Sequence, residues 1–277
     1  MRLCLFDDYR LGVVEGDAVY DVTGALDAHD TGFATPFWVR LCREHETVLP
    51  RIEKLRTRAE PKPLTAVTLR APVLNPSKIV AAASNYGDHV QEMAPRVPDG
   101  WMLDFDIFLK APSALAGPSS TVALPPVGDR EVHHEIELAV VIGKEAAHID
   151  EAEAMDYVLG YTGLIDLTVR GSGDRSRRKS YNGFAPVGPW LVTSDEVPNP
   201  HDVDLRLWVN EELRQAASTS HLLVSIPAML AHTSRIMTLL PGDVFATGTP
   251  AGVGPVKPAD RVVGEVGGIG RLEVNIT

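Results

Sequence analysis

The stretch His133-His134-Glu135-Ile136-Glu137-Leu138-Ala139-Val140-Val141-Ile142-Gly143 constrains this chain more than any other. β-Branched and aliphatic residues dominate it and Gly143 punctuates its end, so the pattern predicts a strand. With side chains alternating at period two, His133, Glu135, Glu137, Ala139 and Val141 share one face, and Ile136, Leu138, Val140 and Ile142 share the other. Two carboxylates therefore enter an apolar strand side by side. Same-face neighbours lie roughly 6 to 7 Å apart, and burying two unpaired anions at that range is costly unless a proton or a cation intervenes. A divalent metal is the simplest answer. The alternative is an exposed strand end with two solvated glutamates.

Residues elsewhere supply partners. Gly160 to Arg170 predicts a second strand, and Asp166 stands in it as a lone carboxylate between Ile165 and Leu167. If buried it needs a partner; the other reading is a strand-end aspartate bonded to backbone amides. Three carboxylates on two strands make an all-oxygen site, which suits Mg²⁺, Mn²⁺ or Ca²⁺ better than Zn²⁺. Lys78-Ile79-Val80-Ala81-Ala82-Ala83 predicts a buried strand running into Ser84 to Met93. If that segment turns helical, His89 and Glu92 stand three apart on one face, a candidate base with its orienting carboxylate. A surface turn that happens to carry both residues is the simpler reading. Residues 94–106, with Pro95, Pro98 and Gly100, read as a loop of lid length. Lys110 either meets an anionic substrate or is an ordinary strand-end lysine.

A chain of 277 residues accommodates one large domain or a small one attached to a larger. Its net charge of -11 argues against sequence-independent nucleic-acid binding, which relies on cations neutralising phosphates. Cys4 and Cys42 are too few for a disulfide framework or a cysteine metal cage and fit a reducing cytosol. Acidic residues follow Leu3-Cys4-Leu5-Phe6 at once, which argues against a signal peptide. No stretch approaches the length of a membrane span. A cytoplasmic protein with neither nucleic-acid nor membrane partners is expected.

Glu15-Gly16-Asp17 marks a hairpin, and residues 36–60 carry a helical period that Pro50 is expected to split, with Thr35 as N-cap. Prolines at 61, 63, 72 and 76 punctuate the chain and set the expected boundary between a small domain, 1–72, and a larger one, 73–277. Asp150 is expected to cap a short helix over 150–158, and a hairpin is expected to turn near Asn210-Glu211. Ser225 to Leu240 predicts an amphipathic helix with Ile226, Met229, Leu230, Ile236, Met237 and Leu240 inward. Strands are expected again over 262–266 and 272–276.

From about Lys78 to the end the chain resembles the fumarylacetoacetate hydrolase family. The resemblance is carried by Asn85-Tyr86-Gly87-Asp88-His89, Glu135-Ile136-Glu137 with the apolar run to Gly143, and Asp166. Further along it is carried by Lys179 followed by Phe184-Ala185-Pro186-Val187-Gly188-Pro189-Trp190, and by Pro241-Gly242-Asp243 through Gly254. It implies an α+β, β-rich fold, a mixed β-sandwich roll with a small N-terminal α+β domain. It further implies that Glu135, Glu137 and Asp166 hold Mg²⁺ or Mn²⁺, with Ca²⁺ as a further candidate, and that His89 and Glu92 activate water. Lys179 would stabilise negative charge on substrate oxygens. Thr249, in a Gly-rich turn that lacks the Gly-Lys-Ser/Thr ending of a phosphate loop, would contact the substrate carboxylate. Tyr86 and Arg170 fall near the pocket, and Lys110 joins them as a candidate substrate contact.

The activity implied is hydrolysis of a carbon–carbon bond in a β-diketo acid of the acylpyruvate or fumarylpyruvate type, in a homodimer. The second reading is a 2-oxo acid decarboxylase or a muconate-type isomerase on the same fold, and the third is a non-catalytic metal- or ligand-binding protein. A cupin-like oxygenase lacks the His-x-His spacing it needs. The chain departs from the family pattern at Arg170-Gly171-Ser172-Gly173, where Arg-Asp-x-Gln is common, at Asn182, where Asp is common, and at His133 and His134. Arg175, Arg177, Arg178 and Lys179 make a basic cluster in an acidic protein, which either attracts an anionic substrate or is solvated.

Overall fold

A computed structural model describes residues 1–26, 34–96 and 105–277. Aliphatic and β-branched runs broken by glycine and proline favour strands, and among the described residues these build a twelve-stranded, a five-stranded and a three-stranded sheet, against five α-helices. Strand Ile136–Ile142 is buried at every position and lies inside the large sheet, between Val158–Ile165 and Val244–Ala246. Both flanking pairs are antiparallel, but Val244–Ala246 pairs parallel with Ile79–Ala83, so the sheet is mixed.

The stretch expected to form one strand from His133 onward forms two. Val132–His134 belongs to the three-stranded sheet and Ile136–Ile142 to the large one, with the break at Glu135. The partner breaks at the matching place: Val158–Ile165 ends before Asp166 and Thr168–Val169 continues in the small sheet. The Asp166 amide donates to the Glu135 carbonyl at 2.7 Å, so the ribbon stays paired as it changes sheets. Val244–Ala246 and Gly254–Val256 flank the same ribbon on either side of this corner, and the Gly-rich turn 247–253 crosses it. A strand pair that changes sheets opens the ladder locally, which frees a side-chain position for a site.

The N-terminal strand Arg2–Phe6 pairs with Ala185–Thr193 of the large sheet, and Leu3, Leu5 and Leu41 join the same apolar cluster as Leu138 and Val140. The punctuated segment from residue 71 to 78 contains no strand. The hairpin at Gly16-Asp17 forms as expected between Arg10–Glu15 and Ala18–Asp21. Asn210 and Glu211 both take positive φ, 49° and 73°, in the turn between Asp204–Val209 and Glu212–Ser218, as a primed hairpin turn requires.

Several local expectations are corrected. The helical region divides at Glu44 rather than at Pro50, giving Ala34–Arg43 and His45–Arg56. Proline costs the second helix one backbone donor without stopping it, whereas Glu44 leaves helical geometry and its carbonyl accepts from Thr47 and Val48 to start the next helix. Thr35 lies within the first helix and is not its cap. Residues 151–157 form a 3₁₀ helix, and Asp150 makes no capping bond with its side chain. Helix Ile226–Ile236 is capped by Ser225, which accepts from the Ala228 amide, and buries Ile226, Met229 and Leu230. Ile236 is 56% exposed and Leu240 is also exposed, because the chain turns extended at Met237 and leaves the core edge. The expected lid falls largely on residues 97–104, which lie outside the described residues. No helix among the described residues is long and apolar enough to cross a membrane.

Candidate active site

Glu135 and Asp166 sit at the two breaks of the ribbon, and Glu137 follows two residues later on the same face. The three carboxylates are buried, and one oxygen from each lies within 4.8 Å of the others. Metal–oxygen bonds of about 2.1 Å place neighbouring and opposite ligands about 3.0 to 4.2 Å apart, so a small contraction suits Mg²⁺ or Mn²⁺ and the longer bonds of Ca²⁺ need less.

The surrounding charges support that fit. Lys179 Nζ donates to Glu135 Oε2, Asp166 Oδ2 and Thr168 Oγ1, each at 2.6 Å, which commits all three ammonium hydrogens. Arg170 Nη2 donates to Glu135 Oε1 at 2.6 Å. Burial pushes the Glu135 carboxyl up, but the charges of Lys179, Arg170 and His89 outweigh it and hold the group far below the usual carboxylate range. The same contest, burial against Asp166 and Glu135, raises Lys179. Glu137 has no cationic side-chain partner among the described residues; its Oε2 accepts the Gly248 amide at 2.6 Å. Burial and the Asp166 charge push its carboxyl well above the usual range. One carboxylate of three thus lacks a counter-charge, at the point where a divalent cation would supply it.

His89 and Glu92 lie on helix Gly87–Met93, which follows the buried strand Ile79–Ala83. His89 Nδ1 is 3.2 Å from Glu92 Oε2, and Glu92 Oε1 accepts the Gly252 amide at 3.1 Å. With Nδ1–H donated to the carboxylate, Nε2 is the nitrogen left to take a proton. His89, the carboxylates Glu135 and Glu137, Arg170, Lys179 and Thr249 line one cavity of 380 Å³, within the range of small-molecule sites.

The other expected contacts are placed differently. Lys110, expected to meet the substrate, is absent from this wall: it is fully buried behind Asp166, donating to Asp166 Oδ1 at 2.6 Å and to the Lys179 carbonyl. A buried ammonium seeks a carboxylate, so the strand Asp106–Lys110 directs it into the site's foundation. Tyr86 is buried, its hydroxyl has no partner among the described residues, and burial followed by the Glu137 charge raises its pKa. Thr249 lines the cavity, but its hydroxyl donates to the Ile136 carbonyl and accepts from Gln215 Nε2, each at 2.9 Å.

Gln215 is a residue that sequence reasoning missed. Its carbonyl oxygen accepts the Ile136 amide at 3.1 Å and lies 3.2 Å from His134 Nδ1, so it ties the ribbon to the Gly-rich turn. A lone glutamine in an exposed-looking hairpin strand carries no signal for that. His134 is thereby explained as structural: burial pushes its imidazole down to about 4. His133 lines the cavity and its Nε2 lies 3.0 Å from Glu131 Oε2.

Comparison with known proteins agrees with this geometry. Residues 78–277 match the family model described as fumarylacetoacetate (FAA) hydrolase, C-terminal. The chain is 42% identical to a maleylpyruvate hydrolase of Aquipseudomonas alcaligenes, over 100% of this chain and 99% of the relative. It is also 42% identical to a bifunctional isomerase/decarboxylase of 4-hydroxyphenylacetate degradation from Escherichia coli, over 70% of this chain and 45% of that protein. A crystal structure of maleylpyruvate hydrolase from Sphingobium sp. SYK-6, in complex with manganese(II) ion and pyruvate, superposes with a TM-score of 0.90 at 43% identity, covering 100% of this chain and 99% of that one. Sequence motifs, fold and family model coincide along the chain, and the chain belongs to the fumarylacetoacetate hydrolase family.

Proposed function

We propose that this protein hydrolyses a carbon–carbon bond in a β-diketo acid of the acylpyruvate or fumarylpyruvate type. The observation that carries the reading is that the His89–Glu92 dyad and the carboxylates Glu135 and Glu137 line one cavity, with Asp166 completing the cluster. The manganese and pyruvate of the related crystal structure, and the maleylpyruvate hydrolases at full length, support it. Mg²⁺ or Mn²⁺ held by Glu135, Glu137 and Asp166 supplies, when bound, Lewis-acid charge at the substrate oxygens.

His89 takes a proton from water through Nε2 while Glu92, itself fixed by the Gly252 amide, holds the ring in orientation. The hydroxide attacks the distal carbonyl carbon, and the bond from that carbon to the methylene breaks. Its electron pair passes to the methylene carbon as the enolate of a pyruvate-like product. His89 returns its proton to that carbon, so water's two hydrogens end on the acid and on the new methyl group. Lys179 offsets negative charge from the wall while keeping Glu135 and Asp166 in place.

A second reading, decarboxylation or isomerisation without attack by water, is supported by the isomerase/decarboxylase relative. The test is to incubate the purified protein and Mg²⁺ or Mn²⁺ with acylpyruvates, oxaloacetate and a muconate-type acid and identify products. Carbon dioxide without an acyl fragment, or an isomer of the starting acid, decides for the second reading. His89→Ala is expected to abolish hydrolysis while Mn²⁺ affinity stays within about threefold; hydrolysis at the wild-type rate in that variant refutes the dyad's role. The division at residue 72, a cytoplasmic location and a homodimer are proposed on the chain's punctuation, its two cysteines and the family resemblance respectively. Sedimentation at micromolar concentration tests the dimer.

A further inference from the structure

Between the pairs His134–Gly254 and Ala139–Ala246, the ribbon that carries Glu135 and Glu137 has no strand beside it on that side. Its backbone groups there take other partners. The Ile136 amide, between the two carboxylates, donates to Gln215 Oε1 at 3.1 Å, and the Ile136 carbonyl accepts the Thr249 hydroxyl at 2.9 Å. Gln215 Nε2 donates to that same hydroxyl oxygen at 2.9 Å and to the Pro250 carbonyl at 2.8 Å. The orientation of the side-chain amide is fixed, since the Ile136 amide can only donate and the Pro250 carbonyl can only accept. With His134 Nδ1 at 3.2 Å from Oε1, every hydrogen-bonding position of the side chain is used. Gln215 is 1% exposed and is the only buried residue of its strand, Glu212–Ser218.

A buried amide with all its bonds made resists movement, because each broken bond leaves a desolvated group without water. What it holds is turn 247–253, and that turn holds both halves of the site. The Gly248 amide donates to Glu137 Oε2 at 2.6 Å, and the Gly252 amide donates to Glu92 Oε1 at 3.1 Å. Glu92 in turn orients His89. Gly252 has φ +96°, and a Cβ there would lie 2.0 Å from the Arg214 carbonyl oxygen, so the turn rests directly on the strand that carries Gln215. Gln215 stands outside the cavity wall and acts only through these neighbours.

We propose that Gln215 is a positioning residue that sets the metal carboxylates and the His89–Glu92 dyad in register through turn 247–253. One side chain thereby governs the spacing of Glu135 and Glu137, across Ile136, and the placement of Glu92, across Pro250 and Gly252. The inference rests on the proposed roles of the carboxylates and the dyad, not on which acid is taken or which bond breaks.

The test compares Gln215→Met, which keeps length and volume but none of the bonds, with Thr249→Val, which cuts the hydroxyl bridge alone. Cys4→Ala, in a separate apolar cluster, controls for stability lost away from the site. Three quantities are read on the folded proteins: Mn²⁺ affinity by calorimetry, hydrogen exchange of the Mn²⁺-loaded protein by mass spectrometry, and kcat and KM on whichever acid the wild type converts. Gln215→Met is expected to weaken Mn²⁺ binding about thirtyfold, as loss of a group that orients metal ligands does. Exchange across 247–253 and across helix Gly87–Met93 is expected to speed about tenfold. At saturating Mn²⁺, kcat is expected to fall about a hundredfold with KM within about threefold. Thr249→Val is expected to change Mn²⁺ affinity and exchange in the same direction by less, and it decides if Gln215→Met does not fold. Cys4→Ala should move none of the three. If Gln215→Met is destabilised but leaves Mn²⁺ affinity, exchange at Gly87–Met93 or kcat at saturating Mn²⁺ unchanged, the turn does not join the two halves and the proposal is overturned. A wild type that converts no acid removes the proposed reaction and leaves metal affinity and exchange to decide this inference.

Discussion

Lys110→Met tests the electrostatic construction of the site from behind. Lys110 is buried, 2.6 Å from Asp166, and its ammonium also satisfies the Lys179 carbonyl. Methionine keeps the length and packing of the side chain but removes the charge and both bonds. Breaking a buried ion pair costs about 3 to 5 kcal/mol. Asp166 keeps Lys179, also at 2.6 Å, so the lower figure applies: a loss of about 3 kcal/mol in the metal-free protein. For a chain of this size that lowers the melting temperature by roughly 5 °C. A divalent cation at the carboxylates replaces much of the lost positive charge, so the loss should shrink to about 1 kcal/mol with saturating Mn²⁺, the remaining unpaired carbonyl. By linkage the variant then binds Mn²⁺ roughly thirtyfold more tightly than the wild type. Urea unfolding with chelator and with Mn²⁺, beside a Mn²⁺ titration, reads both numbers. A loss below about 1 kcal/mol in chelator, or an equal loss in both conditions, refutes the reasoning.

Two further outcomes follow from other parts of the site and core. Gly248 has φ +102°, and a Cβ there would lie 2.8 Å from Asn85 Cβ; Gly248→Ala should shift the turn, release the amide held by Glu137 and weaken Mn²⁺ binding about tenfold, read by calorimetry, with unchanged affinity counting against the turn's role. Burial raises the Cys4 thiol from 9.0 to about 12. Stability from keeping that thiol neutral is complete below the unfolded value and is lost as pH rises from 9 toward 12. Cys4→Ala should therefore unfold at a lower urea concentration at pH 8 yet show a flatter decline above pH 9; parallel declines in both proteins count against it.

Much of the site was legible in the sequence because its chemistry is local. Glu135 and Glu137 share a face by strand periodicity, and His89 and Glu92 meet by helix spacing. Each pair needs only a few residues of regular backbone to come together. Asp166 could be suspected because a carboxylate between apolar residues demands a partner. The hairpin turns at Gly16-Asp17 and Asn210-Glu211 were legible for the same reason, since turn type is set by the residues within it. Periodicity failed where an element ends: Ile236 keeps a core-facing register but stands at the last turn of its helix, past the core.

What only the tertiary structure decided is which charges meet. Local pattern makes the stretch from His133 to Ile142 one continuous strand, and its break at Glu135, matched by the break after Ile165, depends on Gly254–Val256 pairing with one half and Val244–Ala246 with the other. Those partners lie about a hundred residues away, beyond any local pattern. The same holds for Lys110, which left the substrate wall for a place behind Asp166, and for Gln215, which bridges His134, Ile136 and Thr249. Arg178 shows the distinction most directly. In the sequence it is one of four consecutive or near-consecutive cations in a basic loop, and solvent would have screened it. Burial removes that screening, and two backbone carbonyls fix the guanidinium in the cavity wall. Local spacing determined which residues could act together; long-range packing determined their dielectric surroundings and partners, and with them what each charge does.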